Sequence, residues 1–203
     1  GPFRDIYKEI EIKPLSQRKY DFVFIGQLPK TGTRDSFKRG LDKLVEENSG
    51  KFKYRIEFTD GFSKGLEPKE YMELLADSRL SLCPAGAYSM ETFRFFESTL
   101  MGAIPVVDRL PRFWYYEEAS FFKGAWDVLD NTLSKSLNYL QTGDCRKMLQ
   151  GLAMYSNDVL NVDALASRMR QIVDQRHANI ESSSEYLKGL RNFLKNELDS
   201  DQL

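Results

Sequence analysis

A doubly wound α/β domain, built on a parallel sheet with helices on both faces, is the fold class that three observations predict. Strand-like and helix-like segments alternate as β-α-β-α-β-α-β from Asp21 to Asp108. The first strand candidate is an unbroken apolar run closed by glycine, the form of a strand covered on both faces. The segments between strands are helix-length, too long for hairpins, so the strands pair in parallel through right-handed crossovers.

Asp21-Phe-Val-Phe-Ile-Gly26 is that first strand. From Ser36 to Glu47, Phe37, Leu41, Leu44 and Val45 recur at helical spacing, with Asn48 and Gly50 as stop signals. Phe52 to Thr59 alternates apolar residues with Lys53, Arg55 and Glu57 ahead of Asp60-Gly61, the period of a second strand. Pro68 suits the first turn of a helix whose Tyr71, Met72, Leu74 and Leu75 face inward. Arg79 to Pro84 is the third strand. A loop through Gly86, a helix from about Ser89 to Met101, a glycine stop at Gly102 and the strand Ala103 to Asp108 complete the pattern. Beyond Asp130 the spacing predicts helices over Leu133–Leu140, Cys145–Asn157, Val162–Gln175 and Glu185–Glu197, the last set off by the polar stretch Glu181-Ser-Ser-Ser184. The expected organisation is a lead-in over 1–20, one α/β domain over 21–178, and a linker with a C-terminal helix over 179–203.

Composition narrows the partners. The 203 residues are 41% hydrophobic, enough for one good core. Lysine and arginine number 29 against 30 acidic residues, so no net field draws nucleic acid or an anionic membrane, and any anion site is local. Cys83 and Cys145 are the only cysteines, and Cys83 falls in the third apolar run, so neither points to a disulfide framework or a metal site. No apolar run approaches the roughly 18 residues of a membrane helix. Gly1-Pro2 resembles an expression-vector remnant, and no Asn-x-Ser/Thr acceptor occurs, which weighs a cytoplasmic setting over a Golgi lumen.

In open parallel sheets, ligands bind beyond the carboxyl ends of the strands, where helix N-termini favour anions. Those positions are Gly26 to Arg34 after the first strand, Asp60 to Gly65 after the second, Pro84 to Met90 after the third, and Asp108 after the fourth. The third is the most informative. Small residues at Gly86 and Ala87 allow close backbone approach, and the amides near Tyr88 and Ser89 up to Glu91 suit a diphosphate. Arg94 and Glu97, three apart, share a helix face beside a stripe of Phe93, Phe96 and Leu100. A guanidinium grips phosphate bidentately and a carboxylate accepts from both ribose hydroxyls. On spacing alone, a surface salt bridge is the commoner reading, because i,i+3 charge pairs are common on helices.

Glu70-Tyr71 through Leu75 and Ser78, then Leu82-Cys83-Pro84-Ala-Gly86, Phe93-Arg94-Phe-Phe-Glu97, and Gly102-Ala-Ile104-Pro105-Val106-Val107 closely resemble the exostosin-like glycosyltransferase signature. Phe22 to Gly26, with Arg34 downstream, looks like that family's Phe-x-Gly strand and following arginine. The resemblance implies the C-terminal, Rossmann-like half of a GT-B enzyme, whose N-terminal acceptor domain would lie elsewhere in the same or a partner chain. It implies a UDP- or GDP-linked sugar donor, a glycan acceptor and no bound metal. Glu97 would hold the ribose, Arg94 and the amides of Ala87, Tyr88 and Ser89 beyond Gly86 the diphosphate, and Arg34 the distal phosphate as it departs. No catalytic base is assigned. Asp199-Ser-Asp201, the single Asp-x-Asp, reads as a frayed polar tail.

Other residues have plainer readings. His177 suits a helix C-terminus, and Pro111 to Glu118 reads as packing or as a sugar-stacking platform. Asp60 and Lys64 either touch the base or form a turn. The competing function is a non-catalytic nucleotide- or sugar-binding or docking module. A dinucleotide dehydrogenase is disfavoured because no Gly-x-Gly-x-x-Gly follows the first strand.

Overall fold

The computed structural model describes residues 9–28, 34–60, 65–86, 92–110, 116, 119–142 and 145–158, with four further single helical positions at 167, 170, 171 and 174. Two units divide the chain, Gly1–Leu160 and Asn161–Leu203, and almost all that is described belongs to the first. The helices expected over Val162–Gln175 and Glu185–Glu197, and His177, lie largely or wholly outside the described residues.

Five parallel strands form one sheet: β1 (Tyr20–Gly26), β2 (Tyr54–Phe58), β3 (Ser78–Leu82), β4 (Ile104–Val107) and β5 (Phe122–Lys123), in the order β2-β1-β3-β4-β5. The fifth is a two-residue strand beyond the four that the sequence pattern marks. Helices α1 (Asp35–Glu47), α2 (Pro68–Ala76) and α3 (Phe93–Leu100) make the first three crossovers, and α4 (Leu129–Gln141) and α5 (Cys145–Asp158) follow β5.

Alternation along β1 builds both cores. Phe22 and Phe24, with Leu80, Leu82, Ile104 and Val106, point to one face and pack under Phe37, Leu41 and Leu44 of α1 and Leu129 and Leu133 of α4. Phe37 sits between Phe24 and Trp126, with ring centroids 4.7 and 4.9 Å away. Val23 and Ile25 point the other way, under Met72, Leu75 and Ala76 of α2. Farther along that second face, Phe95 of α3 closes on Cys83, Val107, Tyr116 and Tyr155.

The helix α3 departs from its sequence reading in two respects. It begins at Phe93 rather than near Ser89, because Thr92 is extended (φ −141°, ψ 136°) and caps it, its Oγ1 accepting from the Arg94 amide at 3.3 Å. The inward stripe is Phe95, Ser98 and Thr99, while Phe93 is 72% exposed. Phe96 and Leu100 are only partly buried, at the edges of the clusters.

The strand order locates the mouth. From β1 the chain crosses outward to β2, and from β3 it crosses the other way to β4, so the loops leaving β1 and β3 diverge. Between two such adjacent strands lies the topological switch point, the crevice where open α/β sheets take ligands.

Candidate functional site

Arg94 and Arg34 meet at this switch point. Arg94, in the first turn of α3, reaches back over the end of β1: its Nε and Nη2 donate to the Ile25 carbonyl at 3.0 and 2.5 Å. Its guanidinium carbon stands 4.9 Å from the Phe24 ring centroid, a cation–π contact. The third nitrogen, Nη1, is buried and has no hydrogen-bond partner among the described residues. Gly26 makes this possible, since a Cβ there would fall 2.1 Å from Arg94 Nη2. The glycine is thus an opening for a guanidinium.

Arg34, which precedes α1, ties the two diverging loops together. Its Nε donates to Ala85 O beyond β3 at 2.7 Å and its Nη1 to Gln27 O beyond β1 at 2.5 Å. Burial first, and the positive charge of Arg94 second, lower its pKa to about 10, so it remains a cation at neutral pH. Both guanidiniums are therefore held by main-chain carbonyls, and among the described residues neither forms an ion pair with a carboxylate. Two like charges are brought together in this way in a chain whose net charge is only −1.

Glu97 stands one turn farther along α3, partly buried. It does not form a salt bridge with Arg94; its Oε2 accepts from Tyr71 Oη of α2 at 3.0 Å. Burial pushes its carboxyl above the ordinary carboxylate range, while the Tyr71 hydrogen bond and the Arg94 charge pull the other way. The surface salt bridge that the spacing alone favoured is absent among the described residues.

Gly86 lies partly exposed at the end of the loop leaving β3. Ala87, Tyr88, Ser89 and Lys64 lie outside the described residues. Asp60 is exposed, and Tyr116, of the aromatic segment, is buried edge-on against Phe95 at 5.1 Å. The structure thus brings Gly26, Arg34, Arg94 and Glu97 to one mouth. Tyr71, read from the sequence as an inward-facing helix residue and part of the resemblance, meets Glu97 here, and Asp108, the rim position after β4, has its Oδ1 buried without a partner among the described residues while Oδ2 lies 3.5 Å from Arg109 Nε. The adjacency of Tyr71 and Glu97, 26 residues apart on two helices, leaves no local signal in the sequence.

Behind the site, Cys83 Sγ is buried against Ser81 and Ser98, and burial raises the thiol pKa to about 11, so it stays protonated and inert. At the opposite end of the sheet Arg18, buried, donates to the carbonyls of Lys13, Ser78 and Gly102 at 2.9, 2.9 and 2.7 Å, pinning the segment before β1 to the starts of β3 and β4. Among the described residues no helix is long and apolar enough to cross a membrane.

Among protein families, the model of the RXYLT1 C-terminal domain matches residues 3–112, which takes in β1 to β4 and every candidate site residue. No curated protein matches the chain.

Proposed function

The chain belongs to the RXYLT1 C-terminal domain family and is by that membership an exostosin-type glycosyltransferase domain; from this premise we propose that the mouth between β1 and β3 holds a nucleoside-diphosphate sugar for transfer to a glycan acceptor. One observation carries the reading: two cations converge there on main-chain carbonyls, and one keeps a buried N–H that has no partner among the described residues. Leaving such a donor unmet costs about 1–3 kcal/mol, which a phosphate oxygen would offset.

In this reading Arg94 and Arg34 grip the diphosphate, and the charge they present grows in value as the sugar–phosphate bond breaks and negative charge collects on the leaving group. The positive charge that many transferases take from a metal ion is here supplied by guanidiniums, which supports a metal-independent reaction. Glu97 accepts the ribose hydroxyls, its Oε1 having no donor among the described residues. The family is that of a xylosyltransferase, which supports a pentosyl donor. The acceptor and the catalytic base belong to a second domain, of the same or a partner chain.

A thermal-shift screen against nucleoside diphosphates and their sugars tests the site, because a ligand of the native state raises the melting point by mass action. Uridine or guanosine diphosphate is expected to raise it, and Arg94→Ala or Glu97→Ala in the full-length protein to abolish transfer while leaving the fold intact. Undiminished transfer by both variants would remove the donor-site assignment.

A further inference from the structure

We propose that Tyr71 is the positioning residue of the ribose site: its hydroxyl fixes one Glu97 oxygen so that the other is presented to the nucleotide. This rests on Glu97 being the ribose acceptor. The ring of Tyr71 packs against the cluster of Val23, Ile25, Met72 and Leu75 on the second sheet face, so its direction is set by the core. Its Oη donates to Glu97 Oε2 at 3.0 Å from a different helix.

The groups facing Glu97 are Tyr71 from α2, Arg94 from its own helix and Cys83 from the exit of β3. Burial holds the phenol pKa far above neutrality and the thiol at about 11. Tyr71 therefore keeps its proton across the working pH range and can donate to the Glu97 carboxylate. Removing the hydroxyl frees the carboxylate to rotate and withdraws one of the two interactions that favour its charged form. Both effects weaken a ribose grip, and neither touches the phosphate grip of Arg34 and Arg94.

The test measures binding of uridine or guanosine diphosphate, whichever the wild-type chain takes, of its 2′-deoxy counterpart, and of inorganic pyrophosphate, for wild type, Tyr71→Phe and Glu97→Gln across pH. The expected result for Tyr71→Phe is roughly tenfold weaker nucleotide binding, a collapsed preference for the ribose form and unchanged pyrophosphate binding. Wild type loses nucleotide affinity as pH falls through the Glu97 titration, and Tyr71→Phe loses it at higher pH. If Glu97→Gln loses the ribose preference while Tyr71→Phe retains both the preference and the wild-type pH limb, the positioning role is overturned and the ribose reading survives. Equal weakening of all three probes in Tyr71→Phe reduces Tyr71 to a packing residue. Intact ribose preference in Glu97→Gln overturns both.

Discussion

Replacing Gly26 with alanine separates the phosphate grip from the fold. The new Cβ would lie 2.1 Å from Arg94 Nη2 and 3.2 Å from its Cζ, distances that no relaxed structure keeps. The guanidinium must leave its seat, forfeiting two bonds to Ile25 O and its place over the Phe24 ring. A long side chain at a partly exposed position finds water instead, so stability falls by only about 1–2 kcal/mol. Binding loses more, because a charge-assisted contact of about 2–3 kcal/mol is withdrawn, a factor of roughly 30–150 in Kd. Titration calorimetry with uridine diphosphate reads the affinity, and a thermal melt confirms the fold. The double variant Gly26→Ala/Arg94→Ala should bind no worse than Arg94→Ala alone, since both changes act through one side chain. Binding of uridine diphosphate by Gly26→Ala within twofold of wild type would refute the reasoning.

Three further outcomes follow from the packing and the charges. Gly40→Ala places a methyl 1.9 Å from the Trp126 carbonyl, a backbone atom that cannot yield, so α1 shifts; the expected loss is about 2–4 kcal/mol, a drop of roughly 6–12 °C in Tm by calorimetry. Under native conditions at pH 8 a thiol reagent should modify Cys145, which is partly exposed, and spare Cys83, which is buried; mass spectrometry of digests gives the order. Because the Glu97 pKa is raised in the folded state, the fold gains from its protonated form and loses stability as pH rises from the ordinary carboxylate range through the Glu97 value. Glu97→Gln should therefore melt at or above the wild-type temperature at pH 8 while binding nucleotide more weakly, and a lower Tm at that pH would contradict this.

The fold was readable where burial imposed a period. The run of β1 and the alternation of β2 place two strands, and glycine stops delimit α3 and β4. Phe122–Lys123 carries no period at all, since two residues cannot show one. The pattern of α3 misled because phenylalanines at 93, 95 and 96 fit more than one face of an eight-residue helix, and because the cap at Thr92 lacks the Glu or Gln three residues on that would complete a capping box. Of the site, the Arg94 and Glu97 pair was visible as a spacing on one helix. What each bonds to was not: the Ile25 carbonyl lies 69 residues before Arg94 and Tyr71 lies 26 before Glu97, adjacencies created by the order β2-β1-β3-β4-β5.

A structure of the chain with bound uridine or guanosine diphosphate tests the central claim most directly. The account places the diphosphate within hydrogen-bond reach of Arg94 Nη1 and the Arg34 guanidinium at the β1/β3 switch point, with the ribose hydroxyls on Glu97. A nucleotide seated elsewhere, with the Arg94 guanidinium still bonded only to Ile25 O, would contradict it.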